Sequence, residues 1–216
     1  MGGDLNVGIK EYLEFCGYSF KFVPIKNKTT STEAGFVDPD ELYRLMTETY
    51  SWDAIAQDDY FIDYQNLYTH LGVMSIRSLF VTCADVFMRE GQDDRALEML
   101  DRCCEIMQHY PLETVPLGFS GNDYMVVSII EDYYKLGQPD KARRLATELG
   151  TELLVGAKFY IEFYDWARDE FEMTGQYIYF LSDVLKAAGD TEMSKLLTDG
   201  LVGLVNEASA ALEVVE

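Results

Sequence analysis

Gly91-Gln92-Asp93-Asp94-Arg95-Ala96, Gly137-Gln138-Pro139-Asp140-Lys141-Ala142 and Gly189-Asp190-Thr191-Glu192-Met193-Ser194 carry one punctuation three times. A helical face with i, i+3, i+4, i+7 spacing precedes each glycine. It reads Phe80, Cys83, Ala84, Phe87, then Val126, Ile129, Ile130, Tyr133, then Ile178, Leu181, Ser182, Leu185. A second face follows each glycine: Ala96, Leu100, Cys103, Met107, then Ala142, Leu145, Ala146, Leu149, then Leu196, Leu197, Leu201. Glycine ends the first helix because it adopts a left-handed C-cap without a Cβ penalty. An Asp or Thr is expected to cap the second helix. The small residue five after the glycine (Ala96, Ala142 or Ser194) sits where the two helices approach closely. A lone hairpin cannot bury its apolar face, so hairpins stack. The pattern therefore predicts an all-α fold of stacked antiparallel helical hairpins.

This punctuation resembles the tetratricopeptide repeat, which places a large residue four before the glycine and a small one five after it. Phe87 and Ala96 match around Gly91, Tyr133 and Ala142 around Gly137, and Leu185 and Ser194 more loosely around Gly189. The glycines stand 46 and 52 residues apart, wider than regular repeats. The first excess falls in a Pro- and Gly-containing loop from Tyr110 to Asn122. The second is expected to hold an extra helix over Thr151–Phe171, so the array is a degenerate α-α superhelix.

Upstream, residues 1–37 read as a lead-in near charge balance and residues 38–216 as the helical domain, the two forming one structural domain. Tyr18-Ser19-Phe20-Lys21-Phe22-Val23-Pro24-Ile25 alternates like a short strand ending at proline. Lys26 to Gly35 reads as a polar loop. Asp38-Pro39-Asp40-Glu41 starts a helix, with Asp38 as N-cap, Pro39 at the first position and Glu41 as capping-box partner. That helix runs to about Tyr50 and gives way to an Asp-rich connector over Trp52–Asp63.

Composition sets the outer bounds. The 216 residues hold 38 acidic and 17 basic side chains, for a net charge of −21. Such a surface excludes nucleic acid, which requires a basic face, and disfavours anionic membranes. Apolar residues make up 48%, which excludes an acidic disordered tail. No uncharged run is long enough to span a bilayer, so direct membrane insertion is not expected. Met1-Gly2-Gly3-Asp4 lacks a signal core, and the abrupt start is what a piece cut from a longer protein would show.

Chemistry-bearing patterns are sparse. Cys16, Cys83, Cys103 and Cys104 lack CxxC spacing, and Cys83 and Cys103 fall on apolar faces, as small buried hydrophobes do. His70 and His109 have no second ligand at helical spacing. Asp58, Asp59 and Asp63 lack the order of a calcium loop. Asn27-Lys28-Thr29 matches a glycosylation triplet that is common by chance. No catalytic, cofactor-binding or metal residue is assigned, and no cofactor is expected. The dense aromatics of 159–166 and 177–180 are mostly core, with Tyr160, Tyr164, Trp166, Tyr177 and Tyr179 as candidates to line a partner groove.

Several stretches in order point further. They are Glu11-Tyr12-Leu13-Glu14-Phe15 leading to the Tyr18–Ile25 run, Tyr50-Ser51-Trp52, Arg95-Ala96-Leu97-Glu98-Met99-Leu100-Asp101-Arg102-Cys103, and Glu131-Asp132-Tyr133-Tyr134-Lys135-Leu136-Gly137. Together they resemble the soluble C-terminal region of a Bacteroidetes family of multi-pass membrane proteins related to transmembrane protein O-mannosyltransferases. The resemblance spans about Ile9 to Leu197 and contains no catalytic motif. It implies a non-enzymatic, periplasm-facing accessory domain of a glycosyltransferase-like membrane parent, holding an acceptor or partner protein. Two other readings stand beside it: a free-standing soluble adaptor for peptides, and a sugar-binding or hydrolytic module near 159–180. A shallow groove lined by Tyr and Leu would favour a protein-binding role. Paired carboxylates in a pocket would favour the module. A hydrophobic patch beside residues 1–25 would favour docking to a membrane-bound domain.

Overall fold

The structure, a computed structural model, describes residues 9–24, 26, 36–61, 63, 73–110, 112 and 125–213. His70 and the Asn27-Lys28-Thr29 triplet lie outside them, as do most of the 26–35 and 110–122 loops. The chain forms two compact units, Met1–Tyr110 and Pro111–Glu216.

The fold is all-α apart from one two-stranded sheet at the N-terminus. In the first unit, β1 (Leu13–Phe15) pairs antiparallel with β2 (Phe20–Phe22), Leu13 opposite Phe22 and Phe15 opposite Phe20. The sequence pattern exposes β2 but not β1, which is three residues long and has a single alternation. Gly17 turns the hairpin at φ 80°. A Cβ there would meet the Tyr50 ring at 3.1 Å, so both the backbone and the neighbour require glycine. The Tyr50 hydroxyl donates to the Cys16 carbonyl at 2.5 Å, and Phe15 N–H donates to the Phe36 carbonyl at 2.7 Å. These contacts tie the small sheet to the helices.

Helix α1 (Pro39–Arg44) starts as its sequence indicates, with the Asp38 carboxylate accepting from Asp40 N–H at 3.0 Å and Glu41 N–H at 3.1 Å. The capping box does not form: Glu41 is engaged by Arg44, whose Nε and Nη2 each donate to it at 2.8 Å. The helix continues as a π-helical turn, Leu45–Thr49, closed by Tyr50 N–H on the Leu45 carbonyl. Leu42 and Met46 are buried from this segment, and Trp52 packs on Phe80 with centroids 5.0 Å apart. Helices α2 (Val73–Arg89) and α3 (Asp93–Ile106) form the first hairpin. Its core is the expected pair of faces, with Phe80, Cys83, Ala84, Phe87, Ala96, Leu100, Cys103 and Met107 all buried.

The second unit holds α4 (Met125–Lys135), α5 (Pro139–Glu162), α6 (Tyr164–Ala187) and α7 (Thr191–Glu213). Sequential helices pack on one another, and α5 also packs on α7. No separate helix occupies 151–171. The residues between the second and third glycine turns lengthen two helices instead, α5 and α6, each of 24 residues. The chain reverses at Phe163 (φ −115°, ψ 32°), and α6 carries a second non-helical residue at Ala167 (φ −124°, ψ 33°). A close approach interlocks the long helices: Gly150 on α5 lies beneath Leu197 of α7, and Gly200 of α7 beneath Leu154 of α5.

The three glycine turns share one geometry. Gly91, Gly137 and Gly189 have φ of 69°, 69° and 89°. The next residue donates to the carbonyl five back, Gln92 to Phe87, Gln138 to Tyr133 and Asp190 to Leu185, each at 2.8 Å. The glycine N–H donates to Met88, Tyr134 and Lys186 respectively, each at 3.1 Å, completing a Schellman motif. Ala96, Ala142 and Ser194 then make the first bond of the next helix at 3.1 Å. Side-chain capping departs from expectation. Gln92 and Gln138 occupy the N-cap positions without a side-chain cap bond, and in the third turn Asp190 accepts from Met193 N–H at 3.4 Å. The Schellman backbone carries these turns, so the cap residue is free to vary. Leu196 is a further correction: it is 59% exposed, while Leu197 and Leu201 face the core.

Candidate functional site

The α5–α6 reversal gathers aromatic side chains at the surface of the second unit. Phe159, Phe163 and Tyr164 are exposed, and Trp166 is 90% exposed. Phe159 meets Phe163 at 5.0 Å and Tyr160 at 5.7 Å between centroids. Tyr164 packs edge-on to Phe171 at 5.8 Å, with the Arg168 guanidinium 5.9 Å from the Tyr164 ring centre. An indole this exposed contributes almost nothing to the fold of its own unit, since burial of apolar area is what stabilises. Glu162, Asp165, Asp169 and Glu170 neighbour these rings along the chain, with Lys158 and Arg168 as the nearby cations in sequence.

Of the five groove candidates, Tyr160, Tyr164 and Trp166 fall in this region, Tyr160 half-buried. Tyr177 does not join them. It is 4% exposed and packs in the core with Ile178 and Leu181. Two residues on, Tyr179 emerges on the other side of α6 and lines a groove between α6 and α7. The groove has a volume of about 400 Å³, and Phe171, Gly175, Leu201, Val202 and Val205 form its apolar wall. Gly175 and the small neighbouring turn of α7 leave this space open: a Cβ on Gly175 would approach Leu201 at 3.7 Å. Tyr179 and Leu201 thus face the groove, and Glu172 is the one charged side chain among its lining residues.

The repeat-marking residues take structural places. Phe87, Ala96, Tyr133, Ala142, Leu185 and Ser194 are buried, and Gly91, Gly137 and Gly189 form the turns. Asp190, which follows Gly189 in the third turn, gathers three side-chain donors. Arg143 Nε and Nη2 donate to its two oxygens at 2.7 and 2.9 Å, and Tyr134 O–H donates at 3.2 Å. The Arg143 guanidinium holds the Asp190 carboxyl below the usual carboxylate range despite its burial. Burial and the neighbouring Asp190 push the Tyr134 phenol up to about 12. These groups join α4 and α5 to the α6–α7 turn, and their role is structural.

In the first unit the π-helical turn borders a hollow of about 440 Å³ that the sequence patterns do not reveal. Glu48, Asp53 and Trp52 line it from the segment after α1, and Arg102, Glu105 and Ile106 from α3. Arg102 Nη1 is shielded from water and meets no hydrogen-bond partner. Nothing in a one-dimensional pattern distinguishes this arginine from a solvated one.

Among the described residues, no group of three or more His, Cys, Asp or Glu converges to hold a metal ion. No helix of the described residues is long and apolar enough to cross a membrane. Near the N-terminus, Ile9, Tyr18 and Phe22 are exposed hydrophobic side chains, with Phe22 stacked on Tyr12 at 6.0 Å. Burial pushes the Cys83 and Cys103 thiols up, consistent with their place in the core. No protein-family model, curated protein or solved structure matches the chain.

Proposed function

We propose that this chain is a non-enzymatic interaction domain that holds a protein partner through the aromatic end of α5 and α6. The observation that carries the reading is the exposure of Phe159, Phe163, Tyr164 and Trp166 at one helix reversal. Large aromatic side chains anchor protein interfaces because they bury much area with few rotatable bonds. The surrounding carboxylates favour a basic or neutral partner segment over an acidic one. The apolar α6–α7 groove supplies a second place for an extended segment to lie.

The resemblance carried by the Glu11–Phe15, Tyr50–Trp52, Arg95–Cys103 and Glu131–Gly137 stretches gives this domain a setting. In that setting it is the accessory, tetratricopeptide-like part of a membrane glycosyltransferase-like parent at the periplasmic face, and its partner is an acceptor protein or the parent itself. In this chain Tyr50 and Trp52 hold the N-terminal hairpin on the helices, Tyr50 through the Cys16 carbonyl and Trp52 through the Tyr18 ring.

An antibody raised against the domain tests the setting on separated membrane and soluble fractions of source cells. A membrane-bound band much heavier than 24.7 kDa is expected. A soluble band of about the chain's own mass overturns the membrane setting and leaves a free adaptor. Replacing Trp166 and Phe163 together by Ala tests the binding face. Partner retention is expected to fall with the helical circular-dichroism signal unchanged, and unchanged retention overturns the assignment of that face.

A further inference from the structure

The groove between α6 and α7 occupies a place that the preceding hairpin has covered. The shared glycine turns put the two hairpins in one register, so a residue at a given distance from Gly189 answers to one at the same distance from Gly137. Tyr179, Leu201, Val202 and Val205 of the groove answer in this way to Val127, Leu149, Gly150 and Leu153. In the α4–α5 hairpin Val127, Leu149 and Leu153 are wholly buried. Gly150 lies beneath Leu197 of α7, and Leu154 covers Gly200 of α7, so α7 closes that surface. In the α6–α7 hairpin Tyr179 is 52% exposed, Val202 48% and Val205 40%. The repeat thus carries its apolar seam one hairpin further than any described element that covers it.

The cover in the earlier hairpin is an α-helix, and the same seam calls for another. Helical arrays bury each seam under the next hairpin, and the outermost face of such an array is ordinarily polar. Two valines and a tyrosine exposed in one groove are apolar area whose burial favours a partner. The incoming helix is not a copy of α7. Val202 fills the notch that Gly150 leaves open, so no leucine seats there as Leu197 does, and a small residue is needed at that crossing. Asn206 stands where Leu154 stands and, with Gln176, sets amide groups along the groove. The charge of the occupant follows from its seat. Helices α6 and α7 together carry nine acidic and three basic side chains, in a chain of net charge −21. A second copy of this chain would bring the same excess of carboxylates to the contact, whereas a cationic helix is drawn to it.

We propose that the α6–α7 groove binds an amphipathic α-helix of a basic partner protein. The helix seats as α7 does on α5, with its apolar stripe over Val202 and Val205 and its lysines or arginines toward the carboxylates of α6 and α7. The inference rests on the reading of the chain as an interaction domain and deepens it, since it makes the segment in the groove helical and cationic. The groove lies wholly in the second unit.

Fluorescence anisotropy of a labelled synthetic helix of about 18 residues, about 27 Å long, tests the groove on the full chain at physiological ionic strength. The probe has leucine at i, i+3, i+4 and i+7 spacing, alanine at the central crossing and lysine elsewhere. A glutamate version and a proline-interrupted lysine version are its comparisons. Saturable binding of the lysine helix is expected, ~10-fold or more tighter than that of either comparison. Val202→Ser with Val205→Ser, at exposed positions, is expected to weaken it by ~10-fold or more with the circular-dichroism signal unchanged. Trp166→Ala with Phe163→Ala is expected to leave it unchanged. The proposal is overturned by an absence of saturable binding, by equal binding of the proline-interrupted peptide, or by unchanged binding in the valine variant. Weaker binding in the Trp166 and Phe163 variant overturns it too, as does a dimer of the chain in sedimentation that the valine variant dissociates. If the lysine helix does not bind but the aromatic variant loses its partner, the groove assignment alone falls; if neither surface holds anything, the interaction reading falls with it.

Discussion

The hydroxyls of Ser182 on α6 and Ser194 on α7 meet at 2.7 Å in a buried helix crossing, and Ser182 also lies 3.2 Å from the Ser194 carbonyl. Ser182 donates to that carbonyl and accepts from the Ser194 hydroxyl. The same positions hold Ala84 with Ala96 in the first hairpin and Ile130 with Ala142 in the second, all apolar. The third hairpin has thus replaced packing by a matched polar pair.

Breaking one side of that pair leaves the other without a partner. Ser182→Ala is expected to lower stability by about 1–2 kcal/mol, because the Ser194 hydroxyl loses its acceptor in a dry site. Ser194→Ala is expected to cost less, since Ser182 keeps the Ser194 carbonyl. The double variant should recover part of the loss. Urea denaturation of all four proteins gives the coupling energy, and strict additivity would show that the pair does not interact.

Asp190 makes stability depend on acid. Its carboxyl is held below the usual range by Arg143, so its folded value is lower than its unfolded one. The linked stabilisation is therefore fully present above the unfolded value of about 3.9 and is lost as pH falls below it toward the folded value. Asp190→Asn is expected to destabilise the protein by about 1–2 kcal/mol at neutral pH. The gap between variant and parent should close as the protein is titrated into acid below the unfolded value and this carboxylate is neutralised. Parallel stability curves across that range would contradict the assignment.

The interlock of α5 with α7 predicts opposite outcomes for two glycines. A Cβ at Gly150 would lie 2.5 Å from Leu197 Cδ2, and Leu197 is itself buried. Gly150→Ala is expected to cost about 1–3 kcal/mol through overpacking. Gly203 is helical, with nothing within 4 Å of its virtual Cβ. Gly203→Ala is expected to stabilise by about 0.5–1 kcal/mol, as alanine does in a helix interior. Thermal melts of the two variants should move in opposite directions.

Thiol accessibility follows burial. Cys83 and Cys103 are sealed in the α2–α3 core with thiols pushed up by burial, and Cys16 is buried beside Glu14. Cys104, half-exposed, is expected to be the first cysteine alkylated by iodoacetamide under native conditions. The others should react only on unfolding. Peptide mass spectrometry after a short exposure reads the order directly.

Where the chain announces its breaks with glycine, the sequence was legible. The faces around Gly91 and Gly137 are the observed core, residue by residue. The α5–α6 reversal was not legible, because Phe163 and Ala167 turn the chain without glycine or proline, and the aromatic run around them reads as continuous helix. Leu196 misled because it sits one residue, about 100° of helix, off the face set by Ser194, Leu197 and Leu201. Tyr177 and Tyr179 read alike in composition, yet α6 turns one inward and the other into the groove. Arg102 was invisible because the lack of a partner is a property of three-dimensional surroundings.

The second unit also has a mechanical consequence. Its glycine turns lie at one end of α5 and α6, and Trp166 at the other, about 36 Å along a 24-residue helix. The pair is a lever whose tip carries the indole and whose fulcrum is the notch where Leu197 seats over Gly150. Any pull applied at the tip is therefore felt first as torque on that notch.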